Sequence, residues 1–87
     1  MYLHLGENEL IRTKSIISII DLELSTVSDI TKNFLKKAQK NNTVTTISNE
    51  LPKSAIICEE GGKREVYISQ ISTSTLQKRV TKMEVTL

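Results

Sequence analysis

The fold is decided by residues 16–40, IISIIDLELSTVSDITKNFLKKAQK, in which the spacing of the apolar residues changes once. Ile16 to Leu22 has four isoleucines in its first five positions, and this density of β-branched residues favours a strand. Beyond it the apolar residues follow helical spacings of three and four, at Val27, Ile30, Phe34 and Ala38. The change of period predicts a strand followed by an amphipathic helix over about residues 26–40.

Both faces of the Ile16–Leu22 strand are apolar, which predicts a strand that is central or lies between the sheet and another layer. An equally supported alternative places one face in the core and the other in a subunit interface. Ser25 or Thr26 can cap the start of the helix, and Asn41-Asn42 can supply its left-handed exit. We expect Ile16–Ile20 and the helix face of Val27, Ile30 and Phe34 to form the core.

The rest of the chain reads outward from this stretch as short strands and a second helix. We expect a hairpin of residues 2–5 and 10–13, strands at 43–48, 55–58 and 65–69, a turn at Pro52, and a short C-terminal helix capped by Ser72 or Ser74. The predicted fold class is α/β (α+β), a small mostly antiparallel β-sheet with one amphipathic helix and a short C-terminal helix. Residues 1–80 would form a single domain, and 81–87 a tail.

Composition excludes several classes of protein. The chain has 87 residues, of which 38% are hydrophobic and three are aromatic. A core of this size is marginal for a monomer, so self-association is expected. No apolar run is long enough to span a bilayer, and the first residues lack a signal peptide. The single cysteine, Cys58, fits a reduced, cytoplasmic setting.

Residues suited to catalysis or metal binding are few and scattered. His4 is the only histidine, and we interpret it as a strand-surface residue. Cys58 ends an apolar run, which favours a buried structural thiol whose pKa is raised by neighbouring Glu59 and Glu60. Asp21 and Glu23 are two apart, as a metal or acid–base pair would be, but a solvent-exposed turn is the commoner meaning. The sequence predicts no enzyme, metal site or cofactor.

Basic residues give a weak signal for nucleic acid. Twelve Lys and Arg against ten Asp and Glu leave a net charge of only +2, although the basic residues are unevenly distributed. Lys32, Lys36 and Lys40 form a helical stripe, for which a solvated face is the commoner meaning. Arg12, Lys14 and Lys53 lie at predicted strand ends or turns, where cations suit contacts to a duplex backbone. The aromatic residues needed to stack single strands are missing.

Several motifs in a fixed order resemble one family. They are the opening Tyr2–Gly6, the run Ile16–Glu23, the turn Leu51-Pro52-Lys53-Ser54-Ala55-Ile56 and the ending Val66–Arg79. Together they resemble the RemA/RemB extracellular matrix regulators of spore-forming Firmicutes, and the RemB branch more closely. The resemblance implies a small α/β protein that assembles into ring-like homo-oligomers. In the RemA branch it also implies binding and bending of duplex DNA and activation of biofilm-matrix genes.

The resemblance carries DNA contacts onto two residues of this chain, Lys14 and Lys53. It also exposes a departure, because an arginine pair of the RemA branch falls here on Glu50 and Leu51. Glutamate repels a phosphate that arginine would attract, so the DNA contact would be weakened or moved to Arg12, Lys36 and Lys37.

Two hypotheses therefore stay open. The first is a non-enzymatic, ring-forming transcription regulator that binds duplex DNA. The second is a structural or protein-binding partner of a related regulator, with no DNA contact, in which Leu51 meets the partner.

Overall fold

The protein, described by a computed structural model over residues 1–23 and 29–85, combines six strands, two α-helices and one short 3-10 turn. In chain order they are β1 (Tyr2–Gly6), β2 (Glu9–Arg12), the 3-10 turn (Thr13–Ser15), β3 (Ile16–Asp21), α1 (Asp29–Lys40), β4 (Val44–Thr46), β5 (Ser54–Glu60), β6 (Lys63–Ser69) and α2 (Thr73–Val85). Within the described ranges, neither helix is long and apolar enough to cross a membrane.

The strands form two sheets. β1 and β2 make a separate antiparallel hairpin, while the larger sheet has the order β3-β5-β6-β4. Only the β4–β6 pair is parallel. The predicted α+β class with a mostly antiparallel sheet is confirmed. α2 is longer than expected, since it runs from Thr73 through residue 80 to Val85. The proposed domain end at residue 80 stays a prediction.

The larger sheet lies between two layers. On one face the hairpin and α2 enclose the main core, which contains Leu3, Leu5, Ile11, Ile56, Cys58 and Leu76. On the other face α1 packs over a smaller cluster built on Ala38, Ala55 and Val66. Because side chains alternate along a strand, β5 supplies Ile56 to the first cluster and Ala55 to the second.

β3 contributes to both layers, as its two apolar faces predict. Ile16 and Ile19 pack against the main core, and Ile20 packs against the cluster beneath α1. A central position in the sheet is wrong, because among the described residues β3 is an edge strand whose one partner is β5. The expectation that all of Ile16–Ile20 is core is also wrong, since Ile17 lies at an irregularity in the pairing and is 53% exposed.

α1 occupies much of the predicted helix, and its contact with the sheet is confined to its later turns. Phe34, Leu35 and Ala38 pack on the sheet, whereas Ile30 in the first turn is 82% exposed. Placing Ile30 in the core was therefore wrong, because helical spacing gives the direction of a side chain but not the extent of the surface beneath it. The predicted caps Ser25 and Thr26, with Val27, lie outside the described residues.

The predicted end of α1 and the predicted start of α2 are confirmed. Asn42 adopts the left-handed conformation just after α1, with a φ of 57°. At the start of α2, the Ser72 hydroxyl accepts a hydrogen bond from the Thr75 backbone N–H at 3.3 Å.

Buried serines join the hairpin to the rest of the fold. The Ser69 hydroxyl donates to the Leu5 carbonyl at 2.8 Å and accepts from the Ile71 backbone N–H at 3.0 Å. The Ser54 hydroxyl donates to the Ile71 carbonyl at 2.8 Å. These bonds fix the hairpin against the end of β6 and thereby set the position of the basic residues that follow β2.

Candidate nucleic-acid interface

The five predicted DNA-contacting residues are all exposed, but they are not equivalent. Arg12 ends β2, and its guanidinium forms an ion pair with the Glu60 carboxylate at 3.0 Å. Both side chains are more than half exposed, so water and salt can compete for the pair. Arg12 is thus already partly neutralised within its own subunit.

Lys14 lies in the 3-10 turn between β2 and β3, and hydrogen bonds hold that turn in place. The Thr13 backbone N–H donates to the Met1 carbonyl at 3.0 Å. The Ser15 hydroxyl donates to the Arg12 carbonyl at 2.7 Å. Within the described ranges the exposed Lys14 makes no ion pair. The backbone that carries its charge is therefore fixed at the start of β3, and the ammonium is available to an outside anion.

Lys53 occupies the opposite end of the sheet with a similarly fixed backbone. Its N–H donates to the Ser69 carbonyl at 2.8 Å, and its carbonyl accepts from the Leu22 N–H at 3.0 Å. The residue is exposed although its peptide groups are held between the ends of β3 and β6. No acidic partner contacts it in the part of the chain that the structure describes.

The two best candidates are not brought together within one subunit. β5 runs antiparallel to β3, so that Ile16 is opposite Cys58 and Asp21 is opposite Ser54. Lys14 therefore lies before the N-terminal end of β3, and Lys53 lies beside its C-terminal end. Five steps of about 3.3 Å place the two ends about 16 Å apart. Within one subunit Lys14 and Lys53 are therefore two separate cations and do not form one basic patch.

Lys36 and Lys37 lie on α1 and differ in their surroundings. Lys36 is exposed, like Lys32 and Lys40 of the same stripe. Lys37 borders a shallow cavity of about 330 Å³ beside Phe34 and Arg64. Arg64 was not predicted as a site residue. It forms a loose ion pair with Glu59 at 3.5 Å. Arg64 lies near Lys37 because α1 packs against β6. Local sequence does not predict that packing.

The loop that departs from the RemA pattern carries an acidic and an apolar residue at the surface. Leu51 is 79% exposed, and the backbone N–H of the exposed Glu50 donates to the Ser48 hydroxyl at 3.1 Å. Glu50 also lines a shallow cavity together with Glu7 of the hairpin turn. Two carboxylates on this side of the loop disfavour an approaching phosphate.

Residues considered for catalysis have structural surroundings. Cys58 is 5% exposed, as predicted, and burial is the main cause that raises the pKa of its thiol. The charges that add to this rise are Glu60, as predicted, and Glu65 from β6 rather than Glu59. The Asp21 carboxylate accepts the Glu23 backbone N–H at 2.8 Å, which is the geometry of a local turn.

Metal-binding geometry is equally absent from residues 1–23 and 29–85, where no group of three His, Cys, Asp or Glu converges. His4 is exposed on β1 opposite Leu10. Its backbone carbonyl accepts a hydrogen bond from Arg79 at 2.9 Å, which ties α2 to the hairpin. The Arg79 side chain therefore has a structural role, whereas the contact of His4 involves only its backbone.

Comparison with known proteins places this arrangement in a family. A family model described as RemA-like, extracellular matrix regulatory protein A-like, matches residues 2–80. The extracellular matrix regulatory protein B of Bacillus subtilis (strain 168) is 38% identical over 79 residues, which cover 91% of this chain and 89% of that protein. The similarity to a protein of the B type agrees with the predicted RemB-like branch. The chain therefore belongs to the RemA-like family of extracellular matrix regulatory proteins.

Proposed function

We propose that this protein is a non-enzymatic, cytoplasmic transcription regulator of extracellular matrix and biofilm genes that acts as a ring-forming homo-oligomer on duplex DNA. The observation that carries the proposal is the pair of exposed lysines, Lys14 and Lys53, on fixed backbone at opposite ends of β3. Membership in a family named for extracellular matrix regulation supports the regulatory role.

The separation of the cations favours binding by an assembly. Each phosphate contact is weak, and Lys14 and Lys53 of one subunit lie beyond opposite ends of a strand about 16 Å long. Several subunits held together would repeat the pair along one duplex, and the later contacts would form at high effective concentration. A protein with a net charge of only +2 per chain can in this way bind DNA without a large basic patch.

The residues rank by their surroundings. Lys14 and Lys53 come first because the family resemblance carries DNA contacts onto both and neither has an ion-pair partner in the described ranges. Lys36 and Lys37 follow as exposed helix residues, and Arg12 comes last because Glu60 already neutralises it in part. Glu50 would act against binding at its own loop.

The test replaces both lysines by glutamate and measures DNA affinity against salt by fluorescence anisotropy, with a light-scattering mass on each variant so that loss of a subunit contact is distinguished from loss of a phosphate contact. Loss of two phosphate contacts should make the negative slope of log K against log salt shallower by about 1.8 for each engaged subunit, at about 0.9 per contact. The matched control is Lys63→Glu with Lys78→Glu, which makes the same charge change at two other exposed lysines. Equal losses in the two double variants would assign the effect to net charge and overturn the site.

A second function is favoured by the exposure of Leu51. An apolar side chain that is 79% exposed beside Pro52 suits contact with another protein. In this reading the chain joins a related regulator of the same family and makes no DNA contact of its own. Leu51→Arg should abolish co-elution with that regulator, whereas Ile30→Arg, at another exposed apolar residue, should not. Co-elution that survives Leu51→Arg would exclude this interface.

A further inference from the structure

The outer edge of β3 is free of strand partners. β3 pairs with β5 on one side, and no described residue pairs with it on the other. The Leu22 N–H donates to the Lys53 carbonyl, which continues the β3–β5 pairing. Hydrogen-bonded positions alternate along an antiparallel pair, so Ser18 and Ile20 also face β5. Ile19 and Asp21 therefore direct their backbone N–H and C=O groups toward the free edge.

Beyond the irregularity between Ile16 and Ser18, this edge lacks the features that prevent pairing with another strand. Ile16–Ile20 contains neither a charge nor a proline, and Ile17 is 53% exposed. The opposite edge of the sheet differs, because β4 has only three residues and exposes Thr45 and Thr46. Of the two edges, β3 is the longer, and its regular part runs from Ser18 to Asp21.

The charges that flank β3 are complementary to those of a second, antiparallel β3. Lys14 precedes the strand, while Asp21 ends it and Glu23 follows. An antiparallel arrangement places the Lys14 end of one copy beside the Asp21–Glu23 end of the other, and the two-fold axis repeats the match. In the described ranges neither Lys14 nor Glu23 forms an ion pair within its own subunit. This self-complementarity identifies the occupant of the edge as a second copy of the chain.

We propose that β3 pairs antiparallel with β3 of a second copy, so that two four-stranded sheets become one eight-stranded sheet. The inference rests on the homo-oligomeric part of the proposed function and names the surface responsible for one of its contacts. A closed ring needs a head-to-tail interface, whereas the β3 contact is two-fold. The β3 contact is thus a separate interface. It would join two of the assemblies that the head-to-tail interface forms.

The first test introduces a charge at the exposed edge. Ile17→Lys should block pairing, because a lysine on an edge strand opposes association with another strand and the two-fold axis brings two such cations into one interface. The matched control, Ile30→Lys, makes the same change at an isoleucine that is 82% exposed on α1. Light scattering should give Ile17→Lys half the wild-type mass or the 9.8 kDa of a single chain, and Ile30→Lys the wild-type mass. A wild-type monomer, or an unchanged mass for Ile17→Lys, would overturn the inference.

The second test uses charge reversal and does not depend on how Ile17→Lys folds. Lys14→Glu and Glu23→Lys should each weaken the pairing by about tenfold, because like charges then meet at both ends of the interface. The double variant should recover most of the affinity between copies. Additive losses in the double variant would show that the two residues do not meet.

Failure of this inference and failure of the proposed function give different results. An assembly that binds DNA and whose mass ignores Ile17→Lys overturns the β3 contact and leaves DNA binding standing. A protein that pairs through β3 but ignores DNA supports the β3 contact and overturns the DNA-binding role. Circular dichroism of each variant confirms that a change in mass is not a loss of fold.

Discussion

Ser69→Ala tests whether the hairpin is held to the sheet by its buried hydroxyl. Ser69 is fully buried at the end of β6, where its hydroxyl donates to the Leu5 carbonyl and accepts from the Ile71 N–H. Alanine fits the same space but can do neither. The carbonyl of fully buried Leu5 and the N–H of half-buried Ile71 would both lose this partner.

The loss in free energy of unfolding depends on how many polar groups are left without the Ser69 hydroxyl as a hydrogen-bond partner. A buried polar group without a hydrogen bond costs about 1–3 kcal/mol, and the cost is smaller where water can reach. For one fully buried and one half-buried group we expect a loss of about 2–3 kcal/mol in the free energy of unfolding. In a domain of this length that loss lowers Tm by about 8–24 °C.

Urea unfolding at fixed protein concentration measures this directly, because self-association would otherwise alter the apparent stability. With a slope of about 1–1.5 kcal/mol per molar urea, the midpoint should fall by about 2 M. Ser48→Ala is the control, since that hydroxyl only accepts the N–H of Glu50 in an exposed turn. It should cost less than about 0.5 kcal/mol. A loss for Ser69→Ala no larger than the control's would refute the anchoring role of the hydroxyl.

Three further predictions follow from the core and its surroundings. Leu76→Ala should destabilise the fold by about 2–5 kcal/mol in urea unfolding, because Leu76 is fully buried where α2 meets the hairpin. A smaller loss would show that this face of α2 is loosely packed. Gly6→Ala should also destabilise it, because Gly6 has a φ of +109° and the new Cβ would lie 2.7 Å from the Gln70 Nε2. Wild-type stability at Gly6→Ala would contradict that geometry. Burial, the main cause, raises the pKa values of both Cys58 and Tyr67. The folded state then holds these protons longer than the unfolded chain, so stability should fall as pH rises above about 8.5. The urea midpoint of Cys58→Ala should fall less steeply between pH 8 and pH 10 than that of the wild type. An equal fall in the two proteins would exclude the thiol as a cause of the pH dependence.

Local patterns predict the elements of this fold well. The isoleucine run forms β3, the residues around Asn42 end α1, and Ser72 caps α2. Each of these depends on a few neighbouring residues, whose conformational preferences are local properties. The position of β3 at the edge of the sheet depends on which strands pair, and that is not encoded within the strand itself.

Burial was harder to predict than secondary structure. Ile30 has the spacing of a core residue, but the layer beneath α1 contacts only its later turns. Ile17 belongs to an apolar run, yet the irregular pairing with β5 leaves it exposed. In both cases the deciding factor is the extent of a distant surface.

The candidate site shows the same division. Exposure of Lys14 and Lys53 follows from their places at element ends, as predicted. Their separation depends on the antiparallel register of β3 and β5, and the neutralisation of Arg12 depends on Glu60 in another strand. Sequence therefore identified the charges, while the fold determines which of them can act together.

The proposed function requires a homo-oligomer of this chain to bind duplex DNA through phosphate contacts. Its most direct test is a fluorescence-anisotropy titration against a duplex of about 40 base pairs at low and physiological salt, with a light-scattering mass on the same sample. We expect a particle several times 9.8 kDa whose affinity for DNA falls steeply as salt rises. A monomer, or an assembly that ignores DNA even at low salt, would contradict it.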